Sequence, residues 1–406
     1  MSEYTAGVPL EALDGEMLLR DGFVVVRDVV PPGRLDELRA AFETLVDRQR
    51  AQWVREAGPD DPPGGAWETS AQPRLSGFDR HVDDAQTAAT VAWCLDEGGP
   101  LDASQRIMGA LAAPTAYMLM CSPQSDHGPA AWHRDIHPID QAPLCGLEKD
   151  LLANGPGYLQ WNVALYDDDV LQVVPGSHRR PNTAAENAQL AEDSRVALPD
   201  ALQVKLRAGD GVVYTNTILH WGSNYSSTLR RTVHLGYRCL GGDLFPYVPG
   251  LHRGGDATPH LPPHLQALVA EHRRLYLEEC DRVEAVYRAM LAGDAEAFYA
   301  GIAALHPGQE GREVTAILLS KVAYKLAHGD HPYRAGYCGD WTQEPELGPR
   351  FSPAEWTELW QRFAWLDAQL QGEEERFTPG FQSGPMPYFF EEMPEGLSLQ
   401  AVAEHW

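Results

Sequence analysis

The sequence predicts a mixed α+β chain in which helices flank a strand-rich middle, and three observations carry this. Between Gly33 and about Ala57, leucines, alanines and Phe42 recur at three- and four-residue intervals among charges, the spacing of an amphipathic helix. From Ala116 to Arg238 the chain turns to short apolar runs separated by turn residues, which is the texture of strands. Helical patterns return from about residue 263 to 328 and near 353 to 370.

Taken in order, Pro9 to Arg20 has helical spacing and stops at the Asp21-Gly22 turn signal. Phe23 to Val30 is a β-branched strand closed by Pro31-Pro32. We expect these elements and the following helix to form scaffold outside the strand-rich unit. Residues 58 to 75 carry Pro59, Pro62, Pro63, Gly64 and Gly65, so they read as a surface loop. Helical segments follow near 80 to 96, with a solvated His81, and near 101 to 112. The segment 136 to 156 reads as a long loop arching over the strands, with His137 and Asp140 either behind the ligands or facing a substrate. Asp167-Asp168-Asp169 lacks the ligand spacing of a calcium loop and reads as a solvated turn. Residues 183 to 193 read as a helix capped at Asn182 or Thr183. A Gly- and Pro-rich connector at 241 to 263 divides the chain into residues 1–240 and a mainly helical extension, 241–406, in which Trp356, Trp360 and Trp365 fill a core.

The formal charge of -26 argues against nucleic acid or an anionic membrane as partner, and an anionic cosubstrate must be captured by local arginines. Six cysteines are widely spaced with no Cys-x-x-Cys pair, which reads as reduced thiols in a cytoplasmic protein. No long apolar run or basic-then-apolar leader indicates a membrane span or a signal segment.

The chemistry sits in Trp132-His133-Arg134-Asp135 and in His220. In a strand His133 and Asp135 share a face, so one imidazole and one carboxylate converge. A third ligand from His220 would cover one face of a divalent metal and leave the other open, which suits non-haem Fe(II). A strand-end Asp bonded to a nearby His would give the same short motif, so the order of the whole set matters. In the strand Arg230 to Arg238, Arg230, Thr232 and His234 share one face and Arg231, Val233 and Leu235 the other. Only one of the two arginines enters the interior, where its fork can hold a carboxylate. Iron with such a clamp implies a 2-oxo acid.

The order Asp21-Gly22-Phe23-Val24-Val25-Val26-Arg27, Trp132-His133-Arg134-Asp135, Val174-Pro175-Gly176-Ser177-His178-Arg179, Ala208-Gly209-Asp210-Gly211, His220 and Arg230 resembles the phytanoyl-CoA dioxygenase family of Fe(II)/2-oxoglutarate-dependent oxygenases, over roughly residues 15 to 240. The resemblance implies a double-stranded β-helix, a jelly-roll or cupin-like barrel, with iron on His133, Asp135 and His220. It implies that 2-oxoglutarate and O2 are consumed to hydroxylate a small molecule, with release of succinate and CO2. It favours Arg230 for the cosubstrate carboxylate, while the spacing from His220 keeps Arg231 open, and it places Trp161 and Ser223 near the cosubstrate. His178 is structural in the family. Asp135 retains the carboxylate ligand, which disfavours halogenation. In Tyr158 to Tyr166, polar Tyr158, Gln160 and Asn162 alternate with Leu159, Trp161 and Val163. A polar lining favours the first face as interior, and the family's Trp favours the second. Arg134, His137 and Arg238 are candidates for an anionic substrate group. Two other classes compete: a non-catalytic cupin-like protein that binds metal or a small molecule, and a zinc hydrolase on the same ligands.

Overall fold

The computed structural model describes residues 2–136, 142–222, 228–241, 249–252, 257–308, 312–328, 344–371 and 391–406. Eleven strands form two sheets among the described residues. The smaller sheet has the order β1 (Ser2–Tyr4), β8 (Leu202–Val204), β7 (Leu171–Val173), β10 (His220–Gly222). The larger runs β2 (Val8–Pro9), β3 (Phe23–Arg27), β9 (Gly211–Tyr214), β6 (Tyr158–Ala164), β11 (Arg231–Cys239), β5 (Ala112–Cys121), β4 (Arg74–Ser76).

The two faces of the larger sheet have different partners. Leu159, Trp161, Val163, Val233, Leu235 and Tyr237 pack outward with Phe42, Leu45, Val91 and Leu101. Those partners come from α2 (Leu35–Glu56), α4 (Ala85–Leu95) and α5 (Pro100–Met108), helices that follow α1 (Gly15–Asp21) and the short α3 (Ala66–Thr69) in this layer. Phe23, Val25, Ala164, Val212 and Tyr214 point the other way and share a core with Leu171, Val173 and Val204 of the smaller sheet. The sheets therefore face each other, and the side chains between them define an interior. β3 is buried on both faces, which is why it reads as an unbroken apolar run. It pairs with β9 inside the larger sheet, so the expectation that this segment stands outside as scaffold is corrected.

Local signals place the other elements. α1 ends at Gly22, whose φ of 82° is left-handed, and the His178 ring lies where a Cβ at this position would stand. Thr183 and Glu186 form a capping box on α7 (Ala184–Glu192). Leu144–Asn154 is a helix, α6, and not the loop expected across 136 to 156, while His137 and Asp140 lie outside the described residues. The Pro- and Gly-rich 58 to 75 contains α3 and the start of β4.

Beyond residue 240, α8 (Pro263–Ala292), α9 (Ala295–Leu305), α10 (Glu313–Ala327) and the helix Pro353–Leu370 build a second core from Val283, Phe298, Ile317, Trp356 and Phe363. The start of α8 places Leu265 and Val269 in the core of the larger sheet. Farther along α8, Glu279 pairs with wholly buried Arg238 of β11 at 2.7 Å. Arg312 joins Asp150 of α6 at 2.7 Å. No described helix is long and apolar enough to cross a membrane.

Candidate metal centre

His133 and His220 exchange both backbone hydrogen bonds, N to O at 2.9 Å each way, in an antiparallel bridge. This pair sets the imidazole rings side by side, with centroids 4.4 Å apart. Trp132 to Asp135 needs no longer strand than this bridge. Its flanks are tied by Trp132 N to Ser194 O and by Asp135 N to Asn216 O, both at 2.9 Å.

Asp135 lies against both rings: Oδ1 is 3.6 Å from His133 Nε2, and Oδ2 is 3.5 Å from His220 Nε2. The donor atoms of the three residues all lie within 4.8 Å of one another. Each Nδ1 faces a backbone carbonyl, Ala131 O at 2.8 Å for His133 and Ile218 O at 3.0 Å for His220. A carbonyl only accepts, so Nδ1 carries the proton in both rings and Nε2 offers its lone pair to the centre. Burial, then His133, pushes the His220 imidazole down to about 4. Burial raises the Asp135 carboxyl, but His220, His133 and the Gln160 amide outweigh it and hold it at about 2. The donor set suits a divalent iron with open positions.

The neighbours of the triad answer the question of the interior. Gln160 Nε2 donates to Asp135 Oδ2 at 2.8 Å, and His234 Nδ1 meets Asn162 Oδ1 at 2.8 Å. The polar face of β6 is therefore the inner one. Trp161 points away, its indole donating to Ser104 Oγ of α5 at 2.9 Å, so its expected place beside the cosubstrate is corrected. The strand's alternation forces this once Gln160 reaches Asp135.

The same alternation separates the arginines. Arg231 leaves the interior and pairs with Glu43 of α2 at 2.9 Å, which corrects its candidacy for the cosubstrate. Arg230 turns inward and is buried; its Nε donates to Asp168 Oδ2 at 2.9 Å, and Nη2 lies 3.8 Å from Met120 Sδ. Its Nη1 is buried and has no hydrogen-bond partner among the described residues, as a guanidinium prepared for a carboxylate ligand would be. Asp168 is buried and also accepts from Thr232 Oγ1, so it is no solvated turn. Burial raises its carboxyl, but the charge and hydrogen bonds of Arg230 and Thr232 hold it below the usual range.

Two other expected substrate arginines are structural. Arg134 is wholly buried and donates to the carbonyls of Ser177, Thr217 and Arg180 and to Asn182 Oδ1, pinning the segment between the two early ligands. Arg238 is spent on Glu279. His178 accepts no role at the centre, since its Nε2 donates to Leu19 O at 2.9 Å. Ser223 lies outside the described residues. Sequence reasoning passed over Gln160 and Asp168. Gln160 carried a signal, its place in a polar row, whereas nothing distinguished Asp168 from its two acidic neighbours.

Among solved structures, the chain is similar to AviO1 from Streptomyces viridochromogenes Tue57, with 22% identity, 58% of this chain and 96% of that chain covered, and a TM-score of 0.41. It is similar to EctD from S. alaskensis with 2-oxoglutarate and 5-hydroxyectoine, at 18% identity over 59% of this chain and 79% of that one, TM-score 0.40. HygX from Streptomyces hygroscopicus with nickel and 2-oxoglutarate bound matches at 16% identity over 55% and 85%, TM-score 0.38. No curated protein matches. The model of the phytanoyl-CoA dioxygenase (PhyH) family matches residues 18–233, a span that holds all three donors and both arginines and exceeds half of the 406 residues, and the chain belongs to that family.

Proposed function

We propose that this chain is an Fe(II)- and 2-oxoglutarate-dependent dioxygenase that hydroxylates a small-molecule substrate and releases succinate and CO2. The observation that carries the reading is the convergence of His133, Asp135 and His220, distant in sequence, with their donor atoms turned to one point. Fe(II) with 2-oxoglutarate and O2 supplies the power to oxidise a C–H bond. The protein's residues supply the rest. Ala131 and Ile218 fix the imidazole tautomers, and Gln160 steadies the carboxylate. Arg230 offers Nη1 to the far carboxylate of 2-oxoglutarate, while Asp168 and Thr232 hold the fork in place.

We assign the two facing sheets to a double-stranded β-helix within residues 1–240 and treat 241–406 as a helical extension packed on it. All eleven strands precede residue 240, and the second core belongs to helices, which supports this division. The described cysteines are free thiols, in keeping with a reducing compartment such as the cytoplasm.

The test is succinate release from 2-oxoglutarate by purified protein given Fe(II) and O2, without added substrate. Slow release is expected from the native chain. His133→Ala, Asp135→Ala and His220→Ala should each lose Fe(II) binding and fall below detection, and native turnover in any of them overturns the assignment. Absence of release from the native protein favours the binding module, and oxygen-insensitive metal-dependent hydrolysis favours the zinc hydrolase.

A further inference from the structure

Two thioethers face the interior, and the hydroxylation of a bound substrate uses neither. β5 alternates buried and partly exposed residues: Tyr117, Leu119 and Cys121 enter the outer core, while Ala116, Met118 and Met120 open on the inner side. Residues directly paired across strands share a face, and register sorts this face into rows. Gln160, Gly236 and Ala116 form the row whose amide holds Asp135; Asn162, His234 and Met118 form the next. Thr232 and Met120 stand in the third, where Met120 Sδ lies 3.8 Å from Nη2 of Arg230. Successive rows are roughly 7 Å apart. Met118 is therefore one row from the metal centre, and Met120 is two rows away beside the cosubstrate clamp.

The thioether is flexible, polarizable and open to oxidation by transfer of a single oxygen atom. The Tyr214 ring stands nearer the ligands, its centroid 5.4 Å from that of His220, but it is buried and does not open on the interior. A centre that can oxidise a C–H bond and has no substrate before it thus faces the sulfur of Met118.

We propose that Met118 is a site of self-oxidation: when no substrate is bound, turnover of 2-oxoglutarate and O2 converts its thioether to the sulfoxide. One atom of O2 adds to a sulfur lone pair and the other enters the new carboxylate of succinate, while the C1–C2 bond of 2-oxoglutarate breaks to release CO2. Sulfur and the 2-oxo acid each lose two electrons, O2 takes up all four, and no proton is left over. The inner wall gains a polar, chiral group that a reductase can remove. This rests on the oxygenase reading and adds to the same site a modification of the protein itself.

The experiment is peptide mass mapping of the full chain after aerobic incubation with Fe(II), 2-oxoglutarate and catalase, with succinate measured in the same sample. Met118 should gain about 16 Da, or about 18 Da under oxygen-18, and methionine sulfoxide reductase should remove the gain. Met120 should gain less, and Met290, buried in the second core, should stay unmodified. Leaving out 2-oxoglutarate, or His220→Ala, should abolish the gain. Succinate release with Met118 unmodified, more modification of Met120 or Met290 than of Met118, or a gain that persists without 2-oxoglutarate overturns the proposal. Metal-free protein treated with hydrogen peroxide reads the exposure alone: Met118 should oxidise well before Met290, and equal resistance of the two also overturns it. Missing succinate release is the separate failure of the oxygenase reading.

Discussion

Arg230 and Asp168 are opposite charges kept from water on one inner wall, so each depends on the other. Removing the carboxylate with Asp168→Ala leaves a buried guanidinium uncompensated, which costs about 3–5 kcal/mol, read as a lower urea midpoint. Asp168→Asn keeps a hydrogen-bond acceptor but no charge. It should raise the KM for 2-oxoglutarate by about tenfold, the factor of one lost charge-assisted bond, and change kcat little. Equal loss in both parameters would place Asp168 in the chemistry itself. Arg231→Gln, in contrast, should leave the 2-oxoglutarate KM unchanged, because this side chain pairs with Glu43 outside the interior. A raised KM there would reverse the assignment of the two arginines. The sequence stated that only one of them could enter; the family resemblance favoured Arg230 and the spacing kept Arg231 open, because the choice depends on where the neighbouring strands turn their polar rows.

At the level of elements, alternation was legible and the choice of face was not. Tyr158, Gln160 and Asn162 form one row of β6 in any strand, but the row became interior only when Gln160 met Asp135. Trp161 consequently belongs to the layer between sheet and helices. Trp161→Phe should forfeit its bond to Ser104, about 1 kcal/mol of stability in a denaturation curve, and leave 2-oxoglutarate turnover intact. Loss of turnover in a stable variant would return the residue to the site. Capping and turn chemistry, by contrast, is local, so Thr183 with Glu186 and the Asp21-Gly22 stop were readable directly. α6 was not, because Pro143 stands at its N-cap with no side-chain cap bond and its amphipathic stretch is short.

At the scale of the whole molecule, a buried ion pair between Arg238 and Glu279 ties the helical extension to the sheet. Glu279→Ala removes the carboxylate that Arg238, which is wholly buried, meets on α8, and should cost up to about 3–5 kcal/mol and separate the unfolding of helices and sheet into two transitions. A single unshifted transition would show that the apolar contacts of Leu265 and Val269 suffice. The extension also carries a pH dependence. Burial, then Arg312 and Arg282, push the His306 imidazole from 6.5 down to about 3. The unfolded chain takes up this proton below pH 6.5 and the folded chain does not, so stability is full above pH 6.5 and falls as the pH drops towards 3. Between pH 6.5 and 5 the loss is roughly 2 kcal/mol for this group. His306→Gln should flatten that part of the melting-temperature profile, and an unchanged slope would remove His306 as its source.

By itself the sequence determined the family and the order of its motifs, and it proposed the ligand set, because those are carried by motifs of a few adjacent residues and by strand alternation. It also determined that helices flank the strands, since helical spacing is a local property. Only the tertiary structure decided which face of each strand is interior, and with it the sides on which Arg230, Trp161 and Asp168 lie. Those positions follow from pairings between segments as distant as Trp161 and Leu235, and no single segment contains the register that sets them.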